Sequence, residues 1–135
     1  MFKNIMVPVD GSKYSVKATD YAIAIAEKFN SKIIAVHVLQ DSSQNSYDDE
    51  EDKGNKLLEE VTKKANNVGV STIEHLITGD PLRDMQNIVR KTRADLVVMH
   101  AFGLNTFDDA LNENQIGSIS DRVIRTGDVP VLLIK

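Results

Sequence analysis

The sequence predicts an α/β fold, a three-layer sandwich with helices on both faces of a five-stranded parallel sheet. Three observations predict it. Apolar strand patterns alternate with amphipathic helical patterns from one end of the chain to the other. Several of the strand patterns are nearly unbroken runs of branched apolar residues, as in strands buried on both faces. Every strand but the last is followed by a helix, and each connection is long enough for a right-handed crossover.

Strand one is Ile5 to Val9, and it stops at Asp10-Gly11-Ser12. Ligands of open parallel sheets bind at the carboxyl ends of strands, so Asp10 stands at the mouth of an expected site. Pro8 has no N–H for a sheet ladder. Regular pairing is therefore expected to end near Val7, with Pro8 marking the turn of the chain toward the crevice. Helix one follows Ser12, with Ala18, Ala22, Ile25, Ala26 and Phe29 on one face of a 3.6-residue period. Asn30 suits a left-handed end. Strand two is Ile33 to Leu39.

From Gln40 to Lys56 the apolar residues nearly vanish. The first half reads as a solvated loop. The acids Asp48 to Asp52 read as the first turn of helix two, where negative charge suits the helix dipole. Leu57, Leu58, Val61, Ala65 and Val68 form that helix's stripe, and Gly69 ends it. Strand three, Ser71 to Ile77, carries Glu74 and His75 and reads as a sheet edge. Asp80-Pro81 then starts helix three, with the acid as cap and proline at the first helical position. Leu82, Met85, Ile88 and Val89 are its apolar face. Strand four is Leu96 to Met99. A long loop from His100 to Ile116 leads to helix four, with Ser118 as the expected cap, Asp121 in a capping-box position, and Ile116, Ile119 and Val123 facing inward. Gly127 ends it, and strand five is Val129 to Ile134.

A chain of 135 residues with 41% hydrophobic content forms one domain, residues 1–135. Its formal net charge is −4 with no Lys/Arg cluster, which argues against a nucleic-acid partner. It has no cysteine, which excludes disulfides and metal–thiolate sites. Met1 to Asn4 lead straight into strand one, and no apolar run approaches the roughly 20 residues that span a bilayer. The expectation is a cytoplasmic protein with no membrane partner.

Three stretches could carry chemistry together: Asp10, the run His100-Ala101-Phe102-Gly103, and the run Gly117-Ser118-Ile119-Ser120. Glycine allows close backbone approach, and a helix N-terminus offers N–H groups and partial positive charge. The combination suggests a phosphate cradle with an acid beside a ribose or a metal ion. The competing reading makes Gly103 a turn residue and Ser118 only a cap. An Asp10/His37/His100 metal site is conceivable for Zn or Mn, but no short ligand spacing supports it. The plainer reading packs His37 under a helix, leaves His100 in a loop and puts His75 on an edge strand in solvent. No nucleophile elbow and no Walker A sequence occurs, so a fast hydrolase is not expected.

Read together, Val7-Pro8-Val9-Asp10-Gly11-Ser12, Val36-His37-Val38, Gly79-Asp80-Pro81, Gly117 to Val123 and Val129 to Ile134 resemble, in this order, the motifs of the universal stress protein family. The resemblance covers essentially the whole chain. It implies a flavodoxin-like, adenine nucleotide alpha hydrolase-like fold with sheet order 3-2-1-4-5. It also implies a dimer and, in one branch of the family, ATP binding through Gly-x-x-Gly, a nine-residue spacer and Gly-Ser or Gly-Thr.

Carried over residue by residue, Pro8, Val9 and Asp10 match the surroundings of adenine and ribose, and Val38 the main-chain adenine contact. Met99 and Gly103 match the loop under ribose and phosphates. Gly117, Ser118 and Ile119 match the phosphate-binding helix start. Asp10 would hold Mg²⁺ or Mn²⁺ accompanying ATP. Two departures stand out. His100 replaces the first glycine of the pattern, and the spacer from Leu104 to Ile116 is longer than nine residues and carries Asp108, Asp109 and Glu113 without a Lys or Arg.

The resemblance leads to an ATP-binding regulatory module whose occupancy shapes the Leu104–Ile116 loop. The alternative is a dimeric interaction protein that binds no nucleotide, its crevice closed by His100, Phe102 and the acidic insertion. A slow ATPase stands third. In the implied strand order, strand five is an apolar edge, and pairing with a second copy through Val129, Val131, Leu132, Leu133 and Ile134 would cover it.

Overall fold

The computed structural model describes residues 1–40, 47–102 and 116–135. Among these described residues nine elements alternate: β1 (Asn4–Pro8), α1 (Lys13–Phe29), β2 (Lys32–Gln40), α2 (Tyr47–Asn66), β3 (Thr72–Gly79), α3 (Pro81–Lys91), β4 (Leu96–His100), α4 (Ser118–Thr126) and β5 (Val131–Ile134). All strand pairs are parallel, and the sheet order is β3-β2-β1-β4-β5.

The alternation of side chains along each strand builds two cores. Ile5, Val7, Ile33, Ala35 and Val98 pack under α1 and α2 with Ala18, Ala22, Leu58 and Val61. Met6, Ile34, Val36, Val97 and Met99 pack under α3 and α4 with Met85, Ile88, Val89 and Val123. Because β1 lies in the middle of the sheet, its carboxyl end opens between the two layers.

The helix ends follow their local chemistry. Ser12 caps α1, accepting from the Ser15 N–H at 3.1 Å, and Asn30 closes that helix in the left-handed conformation at φ 55°. The acids Asp48, Asp49 and Glu50 occupy the first turn of α2. Asp80 caps α3, with Pro81 at its start. Gly54, inside α2, lets that helix lie directly on the sheet: a Cβ there would come within 2.7 Å of His37 Cδ2 and Leu76 Cδ1.

Pairing around Pro8 differs from expectation. β1 stays in register with β2 through Pro8↔Val36, and the Val9 N–H still donates to Val36 O at 2.7 Å. On the other side, the ladder with β4 ends at Met6↔Val97. Odd-numbered β1 residues address β2 and even-numbered ones address β4, as Lys32 N→Lys3 O and Asp95 N→Asn4 O show. The missing N–H of Pro8 therefore faces the side where pairing has already stopped, and no ladder bond is lost.

Other differences are small. Ser118 does not cap α4; the cap is Gly117, and Asp121 pairs with Arg125 at 2.9 Å instead of closing a box. Val68, Leu82, Ile116 and Phe29 lie at element ends or helix borders and are exposed, while Ile23 and Val70 are buried. β5 begins at Val131, with Val129 and Pro130 ahead of it. Gly103 and most of the Leu104–Ile116 insertion, with Asp108, Asp109 and Glu113, lie outside the described residues.

Candidate functional site

Where β1 turns away at Asp10, β2 runs on to Gln40. Even-numbered β2 residues direct their main-chain groups toward β1, as Lys32 N→Lys3 O and Val9 N→Val36 O establish. The parallel ladder would next bring the Val38 N–H to Val9 O. His37 Nδ1 takes that carbonyl instead, at 2.6 Å. No main-chain bond joins Val38 to β1 among the described residues. Its N–H donor and C=O acceptor therefore face the gap that β1 leaves.

The second wall is the start of α4. Two bonds hold it against the end of β4: Gly117 N–H to Ala101 O at 2.6 Å, and the buried Ser120 hydroxyl to His100 O at 2.7 Å. Intrahelical bonding begins with Asp121 N–H to Gly117 O. The N–H groups of Ser118, Ile119 and Ser120 precede it and have no intrahelical acceptor. Gly117 brings no side chain to cap them.

Asp10 lies between these walls. Its Oδ1 accepts from the Ser12 N–H at 2.9 Å and the Ser12 hydroxyl at 2.7 Å, and its Oδ2 accepts from His100 Nε2 at 2.7 Å. Burial would raise its carboxyl, but the bonds from His100 and Ser12 outweigh burial and hold it below the ordinary carboxylate value. His100 packs beside Tyr14, with ring centroids 6.3 Å apart, and Phe102 flanks the same tyrosine at 5.2 Å.

These parts enclose one cavity of about 370 Å³, within the usual range for small-molecule sites. Pro8, Val9, Asp10, Val38, Met99, His100, Gly117, Ser118 and Ile119 all line it, so the N-terminal carboxylate and the late Gly-Ser pair do converge. Gly103, the remaining expected site residue, lies outside the described residues. His100 and Phe102 stand in the wall and do not fill the space.

Val36, Gln40, Pro81 and Met85 also line the cavity, although the sequence marks them as strand or helix residues or not at all, rather than as site residues. The Asp80-Pro81 helix start was the available signal, since the N-terminus of α3 meets the same end of the sheet.

Among the described residues no metal site is assembled around Asp10. Both carboxylate oxygens already accept hydrogen bonds from the chain, and no group of three or more His, Asp or Glu side chains converges among the described residues. His37 and His100 share one face by strand parity, but one holds a main-chain carbonyl and the other a carboxylate, so the Asp10/His37/His100 site is not assembled.

The profile of the universal stress protein family matches residues 1–135. The chain belongs to that family. A curated relative, universal stress protein MJ0531 of Methanocaldococcus jannaschii, is 30% identical over 145 residues, covering 100% of this chain and 83% of the relative. Two solved structures are similar to the chain. A universal stress protein in complex with cAMP is 26% identical with a TM-score of 0.77, covering 99% of this chain and 97% of its own. A family member from Arabidopsis thaliana with AMP bound is 25% identical with a TM-score of 0.71, covering 98% and 91%. No helix among the described residues of the present family member is long and apolar enough to cross a membrane.

Proposed function

We propose that this universal stress protein is an adenine-nucleotide-binding regulatory module. One observation carries the reading: a single cavity presents three chemically different walls that match the three parts of an adenine nucleotide. The Val38 N–H and C=O offer a donor and an acceptor side by side, which suits the ring nitrogen and amine on adenine's edge. Val36, Met85 and Met99 supply apolar surface for the ring, and the two thioethers adapt to its shape. The Asp10 carboxylate stands between these walls, on the sugar's side of the cavity, with its Oδ2 already accepting from His100. The open N–H groups of Ser118, Ile119 and Ser120 form an anion site at the positive end of α4. The bound cAMP and AMP of the two related structures support the same ligand class.

ATP is the ligand that the family resemblance implies, and it shares base, sugar and first phosphate with those mononucleotides. No Lys or Arg lines the cavity among the described residues, so binding of its outer phosphates rests on the α4 N-terminus. The open edge of the sheet supports pairing with a second copy: β5 is terminal in the strand order, and Leu132 on it is 38% exposed.

Isothermal titration and thermal shift with AMP, cAMP and Mg-ATP test the nucleotide reading, and light scattering of the same sample tests the pairing. Binding heat and a raised Tm are expected with at least one adenine nucleotide, and a mass of two chains. No heat and no shift with any of the three would overturn nucleotide binding and leave the dimeric interaction protein as the surviving reading.

A further inference from the structure

We infer that His100 is a sugar-specificity determinant: by holding the Asp10 carboxylate it makes the nucleotide site largely indifferent to sugar hydroxyls. The inference rests on the nucleotide reading above and concerns what the site discriminates. Asp10 is the one carboxylate among the described residues that line the cavity. An ionised carboxylate only accepts hydrogen bonds, and sugar hydroxyls are the nucleotide donors that need such a partner. Here three of its roughly four acceptor positions are already engaged by the chain, and the fourth, on Oδ2, lies beside the imidazole that Oδ2 already accepts from. Oδ1 holds the Ser12 N–H and hydroxyl, and Oδ2 holds His100 Nε2 at 2.7 Å.

The His100 ring is well placed to keep that hold. Its side chain is 13% exposed, Ser120 anchors its main-chain carbonyl, and Tyr14 lies alongside. Nε2 faces a carboxylate and so carries the hydrogen. Nδ1 is buried with no partner among the described residues, so the ring's hydrogen bonding to this part of the protein runs through Asp10. A sugar hydroxyl must share Oδ2 with the imidazole or displace it. Either way the net gain from the hydroxyl is small, while the base edge at Val38 and the anion site at α4 are untouched. Removing the imidazole returns one open oxygen to Asp10 without altering the other two walls.

The test compares AMP with 2′,3′-dideoxy-AMP by isothermal titration, in the natural chain and in His100→Phe, which keeps a ring beside Tyr14 but removes the donor. His100→Ala is the second variant should the larger ring disturb folding. In the natural chain the two ligands are expected to bind within about threefold of each other. In the variant AMP should be preferred about tenfold or more, the scale of one hydrogen bond to a charged group. A tenfold preference already present in the natural chain, or the same ratio in chain and variant, overturns the inference. Long-range ¹H–¹⁵N spectra of the ligand-free protein read the His100 hydrogen separately. If Nε2–H is held but neither nucleotide binds, the nucleotide reading falls and takes the specificity role with it. If both nucleotides bind but Nε2 carries no hydrogen, only the role of His100 falls.

Discussion

The N-termini of α1 and α4 meet at one crevice and are finished in opposite ways. At α1, Ser12 accepts from the Ser15 N–H, Asp10 accepts from both the N–H and hydroxyl of Ser12, and the Asp10 N–H donates to Ser15 Oγ at 3.1 Å. The polar groups of the turn are tied to one another. At α4, Gly117 supplies no side chain, and Ser118, Ile119 and Ser120, whose N–H groups precede the first intrahelical bond, line the cavity. A capped end is stabilised by its own sequence and has little left for a ligand. An uncapped end keeps its partial positive charge and its donors available. α3 belongs with α1: the Asp80 carboxylate accepts from the Leu82 N–H at 2.9 Å, and Asp84 Oδ2 accepts from the Asp80 N–H at 2.9 Å. On the proposed function, the difference separates helix starts that serve folding from the one that would serve binding.

Converting the open end into a closed one should give the largest effect. Gly117 has φ −57° and ψ 151°, an extended conformation that any L-residue adopts. Gly117→Asp would place a carboxylate where it accepts from the first N–H groups of α4 and repels a phosphate. Adenine-nucleotide affinity should fall on the order of a hundredfold, roughly 2.7 kcal/mol, while thermal stability holds. Gly117→Ser, which adds a hydroxyl without charge, should move affinity the same way by less. Titration calorimetry checks both, and unchanged affinity in both variants would remove the anion site from α4.

Opening a closed end tests the other half of the comparison. Ser12→Ala and Asp80→Ala each remove a side-chain cap, and each should lower stability by about 1 kcal/mol in chemical denaturation. Asp80→Ala should leave nucleotide affinity nearly unchanged, because the Asp80 side chain is not part of the cavity wall. A large affinity loss in Asp80→Ala would mean that capped ends also serve binding, and the contrast would not hold.

Much of this arrangement was legible in the sequence because its causes are local. Unbroken apolar runs mark strands covered on both faces, and Asp80-Pro81 marks a helix start by its own chemistry. Local signals also misled where two residues competed. In Gly117-Ser118 the serine reads as the cap, yet the glycine takes the cap position and leaves Ser118 inside the helix. Leu82, in the first turn of α3, and Ile116, just ahead of the α4 cap, are apolar but exposed, and apolar periodicity does not locate where a helix face ends. The site's least legible features depend on register. Val38 presents its main chain only because β1 leaves the sheet beside it. His100 meets Asp10 across 90 residues of sequence, a contact that no spacing rule contains.

The smallest expected effect lies in the titration of Asp10, which links the closed end of α1 to the crevice. Its carboxyl is held below the ordinary value of 3.8: burial works in the opposite direction, and the donors from His100 and Ser12 prevail. A carboxylate whose folded value is depressed stabilises the folded state above its unfolded value. That contribution is lost as pH falls from about 3.8 through the folded value. Ser12→Ala removes the hydroxyl donor and keeps the main-chain one, so the Asp10 midpoint should move upward toward 3.8 and narrow the window in which acid weakens the fold through this group. Carboxyl ¹³C chemical shifts followed through acid titration read the midpoint directly. A midpoint above 3.8 in the natural chain would mean that burial outweighs the donors, and that the turn at Ser12 holds Asp10 less firmly than its hydrogen bonds imply.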